Sequence, residues 1–309
     1  MLKPHSMLML LVVHRCIGDD NISDMWRKHF EQLYNSVKDD GAKNLFFERL
    51  LTPNYIGNRI SVTVRDLIDV MSKQKLGKAV GPDGIAMEAL FYGGDKLVVH
   101  ISLLFNMFLK CGFLPTSCMR SVIVPLVKCK SGDLTDVNNY RAIAISSALS
   151  KIFEHIVASH LCTVAEGDRF QFGFKAGLST SLCTGIFKRA VEYYINRGSH
   201  VFVCFLDFSK AFDKVNYWKL LNKLLDDNID GNIVRVLAYW FSKQDVSVRW
   251  HSALSQSFSV GNGTRQGGVL SPYLFNRYIR DMLVELESTQ EGCNIGGICL
   301  SMYSHMPMT

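Results

Sequence analysis

The stretch VFVCFLDFSKAFDKV, residues 201–215, holds the strongest pattern in this 309-residue chain. Six of its first seven residues are apolar or sulfur-bearing, which predicts a β-strand from Val201 to Asp207. Asp207 ends the run, and Asp213 follows it closely. Because sheets often present chemistry at the ends of their strands, Asp207 is the first candidate functional residue, and its carboxylate raises the question of a metal ion.

The composition describes a folded chain with a modest positive charge. It is 48% hydrophobic and 20% charged, which is enough apolar material for a core in one or two domains. The net charge is +6, and the segment from Arg169 to Lys223 alone carries nine basic against three acidic residues. The surplus is therefore concentrated around the quoted stretch, and it is compatible with nucleic-acid binding.

Cysteine usage and hydropathy exclude several other classes. The nine cysteines are an odd number without any C-x-x-C spacing, which argues against a disulfide framework and a zinc ribbon. A reducing, intracellular compartment, cytoplasm or nucleus, is the simpler expectation. The apolar run Met7–Val13 is too short to span a bilayer, so no membrane partner is expected.

Local patterns predict helices and one basic hairpin. Apolar residues at helical spacing predict a helix over Ser23–Tyr34, and two β-rich runs predict strands at Ser121–Val127 and Tyr140–Ile145. The loop joining these strands is polar and is flanked by the basic residues Lys128, Lys130 and Arg141. A hairpin of this kind either grips phosphates or is simply solvated.

Two glycine-containing segments allow more than one interpretation. RFQFGFKAGLST, residues 169–180, mixes aromatic and basic residues as nucleic-acid surfaces do, although aromatics at every second position suit the core of a strand equally well. GNGTRQGGVLSPYLFN, residues 261–276, fits neither the dinucleotide nor the P-loop spacing. It is predicted to be a polar turn carrying Arg265 and Gln266, followed by a helix that begins at Ser-Pro.

Taken together, these segments resemble the reverse transcriptase domain of LINE-type (non-LTR) retrotransposons. The resemblance runs from about Ile22 to Leu300. Five motifs carry it in the same order and with similar gaps: GKAVGPDGI (77–85), NNYRAIAIS (138–146), QFGFKAG (171–177), FLDFSKAFD (205–213) and GTRQGGVLSPYLFN (263–276).

The resemblance implies an α+β fold of the right-hand polymerase type. It would comprise fingers and a partial palm, a ferredoxin-like palm sheet flanked by helices, with the thumb absent. The implied organisation is a poorly defined N-terminal segment at 1–21, a helical N-terminal extension leading into the fingers at 22–120, fingers at 121–200, a partial palm at 201–300 and a tail outside the family at 301–309.

The resemblance also implies roles for the residues around Asp207. Asp207 would be catalytic and would ligate two Mg²⁺ ions, helped by the carbonyl of Phe208, because hard cations require oxygen ligands. Phe212 would lie under the deoxyribose as a steric gate, with plain core packing as the weaker alternative. Asp213 is assigned to structure, at the start of the helix that follows.

Further residues would meet the substrates that the family implies, which are an RNA template, a DNA primer and deoxynucleotide triphosphates. Gln266 and Gly267 would lie near the incoming nucleotide, and Arg141 would contact its triphosphate together with Lys128 or Lys130, the choice between the lysines staying open. Lys175 and Arg265 would contact nucleic acid. Ala142 stands where the family pattern has proline, which leaves Arg141 in place.

The family also needs a second metal-binding carboxylate, in an aromatic-Ala-Asp-Asp hairpin after the segment IGGICL. No Asp or Glu follows Glu291 in this sequence. The expectation is therefore a reverse transcriptase domain that is inactive as this isolated chain. The alternative is a catalytically silent nucleic-acid-binding remnant or a translated pseudogene fragment.

Overall fold

One mixed β-sheet with helices packed around it forms the main part of the fold. The computed structural model describes residues 18–51, 60–162, 172–174, 178–289, 293–295 and 298–300. The helices are α1 Asp19–Leu33, α2 Asp40–Leu50, α3 Val64–Ser72, α4 Met87–Phe91, α5 Gly94–Cys111, α6 Thr116–Met119, α7 Ala148–Cys162, α8 Thr180–Ile195, α9 Tyr217–Asp226, α10 Gly231–Ser242 and α11 Ser271–Ser288. The strands are β1 Arg120–Val127, β2 Tyr140–Ser146, β3 Asp245–Trp250, β4 Ala253–Leu254, β5 Phe258–Ser259, β6 Cys293–Ile295 and β7 Ile298–Leu300.

The sheet is built around the predicted hairpin. β1 and β2 pair antiparallel, in a register that sets Ser121 opposite Ser146 and Val127 opposite Tyr140, so both predicted strands are confirmed. β3 then pairs parallel with β1 and antiparallel with β4 and β5. Because β1 and β3 are parallel, a tight turn cannot join them directly. The helices α7 to α10, which follow β2 and precede β3 in the chain, belong to the long connection between them.

Helix α1 covers this sheet with its apolar stripe. Ile22, Trp26 and Phe30 recur at every fourth position and are buried, as expected for one face of a helix. The Trp26 ring centre lies 4.7 Å from that of Tyr140 and 6.2 Å from that of Trp250. The predicted helix is thus confirmed, although it begins at Asp19, earlier than the sequence pattern indicated.

A second apolar layer lies between α9 and α10. Four leucines of α9 are buried, and the ring of Tyr217 stacks on that of Phe241 with centres 4.8 Å apart. On its other side α9 meets α2, where the rings of Phe46 and Trp218 are 5.6 Å apart. These contacts fix the segment that begins directly after the motif around Asp213.

The strand predicted over Val201–Asp207 is not formed. Residues 201–208 have no regular secondary structure, and Phe202 and Phe205 are 95% and 84% exposed. A strand is stabilised only by a partner, and among the described residues no strand pairs with this segment, since β6 and β7 pair with each other. The apolar pattern alone therefore predicted a strand that lacks the neighbour it needs.

The described residues fall into two compact units. The first is drawn from residues 1–164 and 210–275 and contains the mixed sheet; the second is drawn from 165–209 and 276–309 and contains α8. These boundaries differ from the predicted scheme of extension, fingers and palm, which stays a prediction. Residues 1–17 of the predicted N-terminal segment 1–21, and the predicted tail 301–309, lie outside the described residues. Within the described ranges, no helix is both long enough and apolar enough to cross a bilayer.

The α9 layer gives a test of this packing. Leu224 is fully buried, so Leu224→Ala should lower the free energy of unfolding by about 3 kcal/mol through lost burial and a residual cavity. Leu103→Ala on α5, where the leucine is 60% exposed, should change it by less than about 0.5 kcal/mol. Urea unfolding of both variants is the measurement, and equal losses would contradict the assigned packing.

Candidate nucleotide site

The glycine-rich loop after β5 is docked against strand β2. The backbone N–H of Ala144 donates a 2.9 Å hydrogen bond to the carbonyl of Gln266, on the edge of β2 that does not pair with β1. Gly267 follows, with its backbone against the Ala144 carbonyl. The loop that the sequence singled out therefore lies beside the strand that carries Arg141.

The side chain of Gln266 is held by Asp213. Its Nε2 atom donates to both carboxylate oxygens, at 2.9 and 3.0 Å, and the Tyr34 hydroxyl donates to Oδ1 at 3.1 Å. Asp213 itself is buried. Three segments that are far apart in the sequence thus meet at one carboxylate, which confirms the structural assignment of Asp213.

Burial sets the ionisation behaviour of this cluster. Desolvation raises the pKa of Asp213 above its ordinary value, while the hydrogen bonds from Gln266 and Tyr34 and the charges of Lys210 and Lys128 oppose that shift. The pKa of Tyr34 is raised well above its ordinary value, first by desolvation and then by the charge of Asp213. Tyr34 is therefore a hydrogen-bond donor at neutral pH.

The loop approaches Asp213 so closely that one position requires glycine. Gly263 has φ +92°, and a Cβ there would lie 2.6 Å from the Asp213 carbonyl oxygen. Asn262 Nδ2 donates to that same carbonyl at 2.7 Å. The start of α9 is capped by Asn216, whose side chain accepts from the Lys219 N–H, so the prediction that Asp213 fixes this helix start was wrong.

A buried ion pair holds the other side of the loop. Arg265 Nη2 donates to Glu154 Oε1 at 2.8 Å, and the Val269 N–H donates to Glu154 Oε2 at 2.6 Å. The Arg265 guanidinium also lies 4.7 Å from the ring centre of Trp240. Arg265 is thus turned into the fold with a side chain 12% exposed, and its contact with nucleic acid stays a prediction.

Arg141 and Lys128 share a face of the basic hairpin. Arg141 pairs opposite Leu126, and Lys128 lies two residues beyond Leu126, so the two basic side chains are diagonal neighbours. Lys128 is exposed, and its Nζ donates to the Asn138 carbonyl at 2.8 Å. Lys130 lies farther along, in the turn. The geometry therefore groups Lys128, more than Lys130, with Arg141.

Phe212 belongs to the first compact unit. It begins the short 3₁₀ turn Phe212–Lys214, its carbonyl accepts from the Thr264 N–H at 2.7 Å, and its half-buried ring lies 4.9 Å from that of Phe275. This position joins it to the glycine-rich loop. Its role as a steric gate stays a prediction.

Asp207 and Phe208 belong to the second unit, and both are exposed. Lys175 lies outside the described residues. A metal site needs several converging ligands, and among the described residues no group of three or more His, Cys, Asp or Glu converges. The described residues therefore do not fit a complete two-metal centre, and Asp207 as a metal ligand stays a prediction.

Sequence reasoning missed Glu154 and Tyr34. Glu154 lies on the same face of α7 as the buried residues Val157 and Leu161. A carboxylate on an apolar helix face indicates a buried acid that needs a partner, and this pattern could have identified Glu154 from the sequence. Tyr34 gave no signal, because its partner is 179 residues away.

The Asp213 cluster can be tested by removing its carboxylate. Asp213→Ala leaves the buried Tyr34 hydroxyl and the half-buried Gln266 amide without an acceptor and should lower the free energy of unfolding by about 2 kcal/mol. The matched control is Asp226→Ala, whose carboxylate is 64% exposed and pairs with Arg49, with an expected loss below about 1 kcal/mol. Urea denaturation of both variants is the measurement. A loss of unfolding free energy in Asp213→Ala that is no larger than in Asp226→Ala would contradict the importance of this cluster.

Comparison with known proteins matches the same part of the chain. Residues 129–304, more than half of it, match the family model described as Reverse transcriptase (RNA-dependent DNA polymerase). This range includes Arg141, Asp207, Asp213 and Gln266.

Curated relatives come from mobile elements. The chain is 28% identical over 225 residues to a probable RNA-directed DNA polymerase from transposon X-element of Drosophila melanogaster, covering 70% of this chain and 24% of that protein. It is 25% identical over 268 residues to the RNA-directed DNA polymerase from mobile element jockey of Drosophila funebris, covering 84% and 29%. It is 28% identical over 223 residues to a Pol polyprotein from the type-1 retrotransposable element R2 of Popillia japonica, covering 71% and 30%. The chain thus spans between a quarter and a third of these relatives, and it belongs to the reverse transcriptase (RNA-dependent DNA polymerase) family, in its non-LTR retrotransposon branch.

Proposed function

We propose that this chain is the reverse transcriptase segment of a longer non-LTR retrotransposon protein. Its substrates would be an RNA template, a DNA primer and deoxynucleotide triphosphates. The family match and the RNA-directed DNA polymerase activity by which the mobile-element relatives are named support this proposal. Within it, the α+β architecture corresponds to fingers and a partial palm of a right-hand polymerase, with the ferredoxin-like arrangement of the palm as part of the proposal.

One observation carries the proposal, namely the docking of the Gln266–Gly267 loop on strand β2. Ala144, which donates to Gln266, is three residues from Arg141, or about 10 Å along the strand. Lys128 shares the face of Arg141 and is near enough to lower the pKa of Asp213 by its charge. Basic and amide groups are therefore collected at one edge of the sheet, as triphosphate binding requires.

Each residue then has a separate task. Arg141 offers a fork of donors to phosphate oxygens, and Lys128 adds a compact charge beside it. Gln266 lies near the incoming nucleotide, with its side chain oriented by Asp213, which Tyr34 also bonds. Phe212, whose carbonyl is hydrogen-bonded to the same loop, is proposed to limit the space at the sugar.

Reverse transcriptases generally use divalent metal ions held by more than one carboxylate. Residues 1–309 offer Asp207, which the described structure leaves exposed and without converging ligands. We therefore infer that the polypeptide of these 309 residues does not extend primers by itself.

Primer extension on an RNA template tests this directly. The 309-residue chain, given Mg²⁺ or Mn²⁺ and all four deoxynucleotides, should yield no more product than its Asp207→Ala variant, since one carboxylate does not hold a metal pair. Circular dichroism must show that both proteins are folded. Product that disappears in Asp207→Ala would overturn the inferred inactivity and would support polymerase activity in this chain alone.

The second candidate is a silent nucleic-acid-binding protein, which the basic hairpin face favours. Affinity for an RNA–DNA hybrid, followed by fluorescence anisotropy, should fall linearly on logarithmic axes as salt rises. Replacing Lys128 and Arg141 together by Gln should reduce the magnitude of that slope by about 2, one for each lost phosphate contact. The same change at Lys96 and Lys110, exposed on α5, should leave it unaltered, and a salt-independent complex would contradict this candidate.

A further inference from the structure

A basic cavity of about 300 Å³ lies away from the proposed nucleotide site. Lys73, Lys75 and Lys78 line it from the segment that follows α3, and Lys151 and His155 line it from α7. No Asp or Glu is among the lining residues in the described part of the chain. Four lysines therefore contribute to the lining of one small space, and no carboxylate does.

The lysines of the cavity form no ion pairs. Across the described ranges, none of the four is bonded to a carboxylate. The nearby acids bond to backbone instead, because Asp83 accepts from the Ile85 N–H at 3.2 Å and Glu88 accepts from the Gly77 N–H. The ammonium donors of the lysines are thus available to a ligand.

The start of α7 adds to this positive potential. Ser146 and Ala148 also line the cavity, and α7 begins at Ala148 and continues for 15 residues. Ser147 Oγ accepts from the Ser150 N–H at 3.1 Å and so caps the first turn. The partial positive charge of the helix N-terminus therefore reinforces the lysines.

One wall of the cavity is fixed by a backbone contact. A Cβ on Gly81 would lie 2.7 Å from the Ser146 carbonyl oxygen and from the Ser147 Cα, so only glycine allows this approach. The basic segment is thus held against the end of β2. The remaining polar group, His155, is half-buried, and burial lowers the pKa of its imidazole, which makes it a neutral hydrogen-bonding group at pH 7.

The cavity is distinct from the surface around Arg141. Ser146 ends β2 and Arg141 is near its beginning, which separates their backbones by about 16 Å along the strand. Neither Arg141 nor Lys128 lines the cavity. A second anion can therefore bind while the first surface is occupied.

We propose that this cavity binds a compact, phosphate-rich anion, namely the terminal phosphate groups of a nucleotide or of a nucleic-acid 5′ end. Several charges packed into one small space match a ligand that carries several negative charges on neighbouring groups. A strand passing over the surface presents one charge per phosphodiester and is matched by a stripe of basic residues. The proposal is independent of polymerase activity.

The test measures binding to the 309-residue chain without template, primer or metal. The probes are a 3′-fluorescein hexathymidylate with a 5′-triphosphate, the same oligonucleotide with a 5′-hydroxyl, and inorganic tripolyphosphate as competitor. Lys78→Gln combined with Lys151→Gln removes one charge from each wall of the cavity. Lys96→Gln combined with Lys110→Gln is the matched control, because it removes the same charge from exposed positions on α5.

The 5′-triphosphate oligonucleotide should bind more tightly than its hydroxyl counterpart, tripolyphosphate should displace it, and the cavity variant should weaken binding about tenfold or more. If neither oligonucleotide binds, isothermal titration calorimetry with tripolyphosphate alone decides: binding that the cavity variant weakens would support a polyphosphate site in the cavity and overturn its assignment to a nucleic-acid 5′ end. Equal binding of the two oligonucleotides, equal loss in the control variant, or no binding to folded protein would each overturn the proposal. A failed primer-extension experiment would leave this proposal standing, because the binding assay contains no primer.

Discussion

The buried carboxylate of Asp213 is the constraint on which the glycine-rich loop depends. It accepts hydrogen bonds from Tyr34 and Gln266, while its own backbone carbonyl accepts from Asn262. An unpaired carboxylate at this depth would be strongly destabilising, and desolvation does raise its pKa. The donors that satisfy Asp213 therefore come from two other segments, the end of α1 and the glycine-rich loop, and satisfying it brings those segments together.

The loop follows from this constraint and from a second acid. Glu154 receives Arg265 and the Val269 N–H, and the Asp213 carboxylate receives the Gln266 side chain, so the middle of the loop is held by two carboxylates that it does not itself supply. The Gln266 carbonyl also accepts from the Ala144 N–H on the edge of β2. A short, glycine-rich segment without a regular structure of its own thus acquires one conformation, which is what a binding site for a small, charged substrate requires.

The sequence predicted those features that depend on local pattern. The hairpin of β1 and β2 and the helical stripe of Trp26 and Phe30 were confirmed, because periodicity is local, and the family that the motifs indicated was confirmed by the match over residues 129–304. The strand at 201–207 was wrong, because a strand depends on a partner that the apolar pattern does not specify. The cap at Asn216 was assigned to Asp213 instead, and the bond from Tyr34 to Asp213 was missed because a contact between distant segments leaves no local trace.

Both proposed anion sites use one arrangement of charge. At the first, Asp213 and Glu154 are buried and bonded to the glycine-rich loop, and at the second, Asp83 and Glu88 accept from backbone N–H groups and form no ion pair with the cavity lysines. The lysines beside them are without carboxylate partners in the described ranges, as at Lys128 and Lys78. The net charge of +6 therefore does not describe the local potential at either site, which depends on where the unpaired lysines lie.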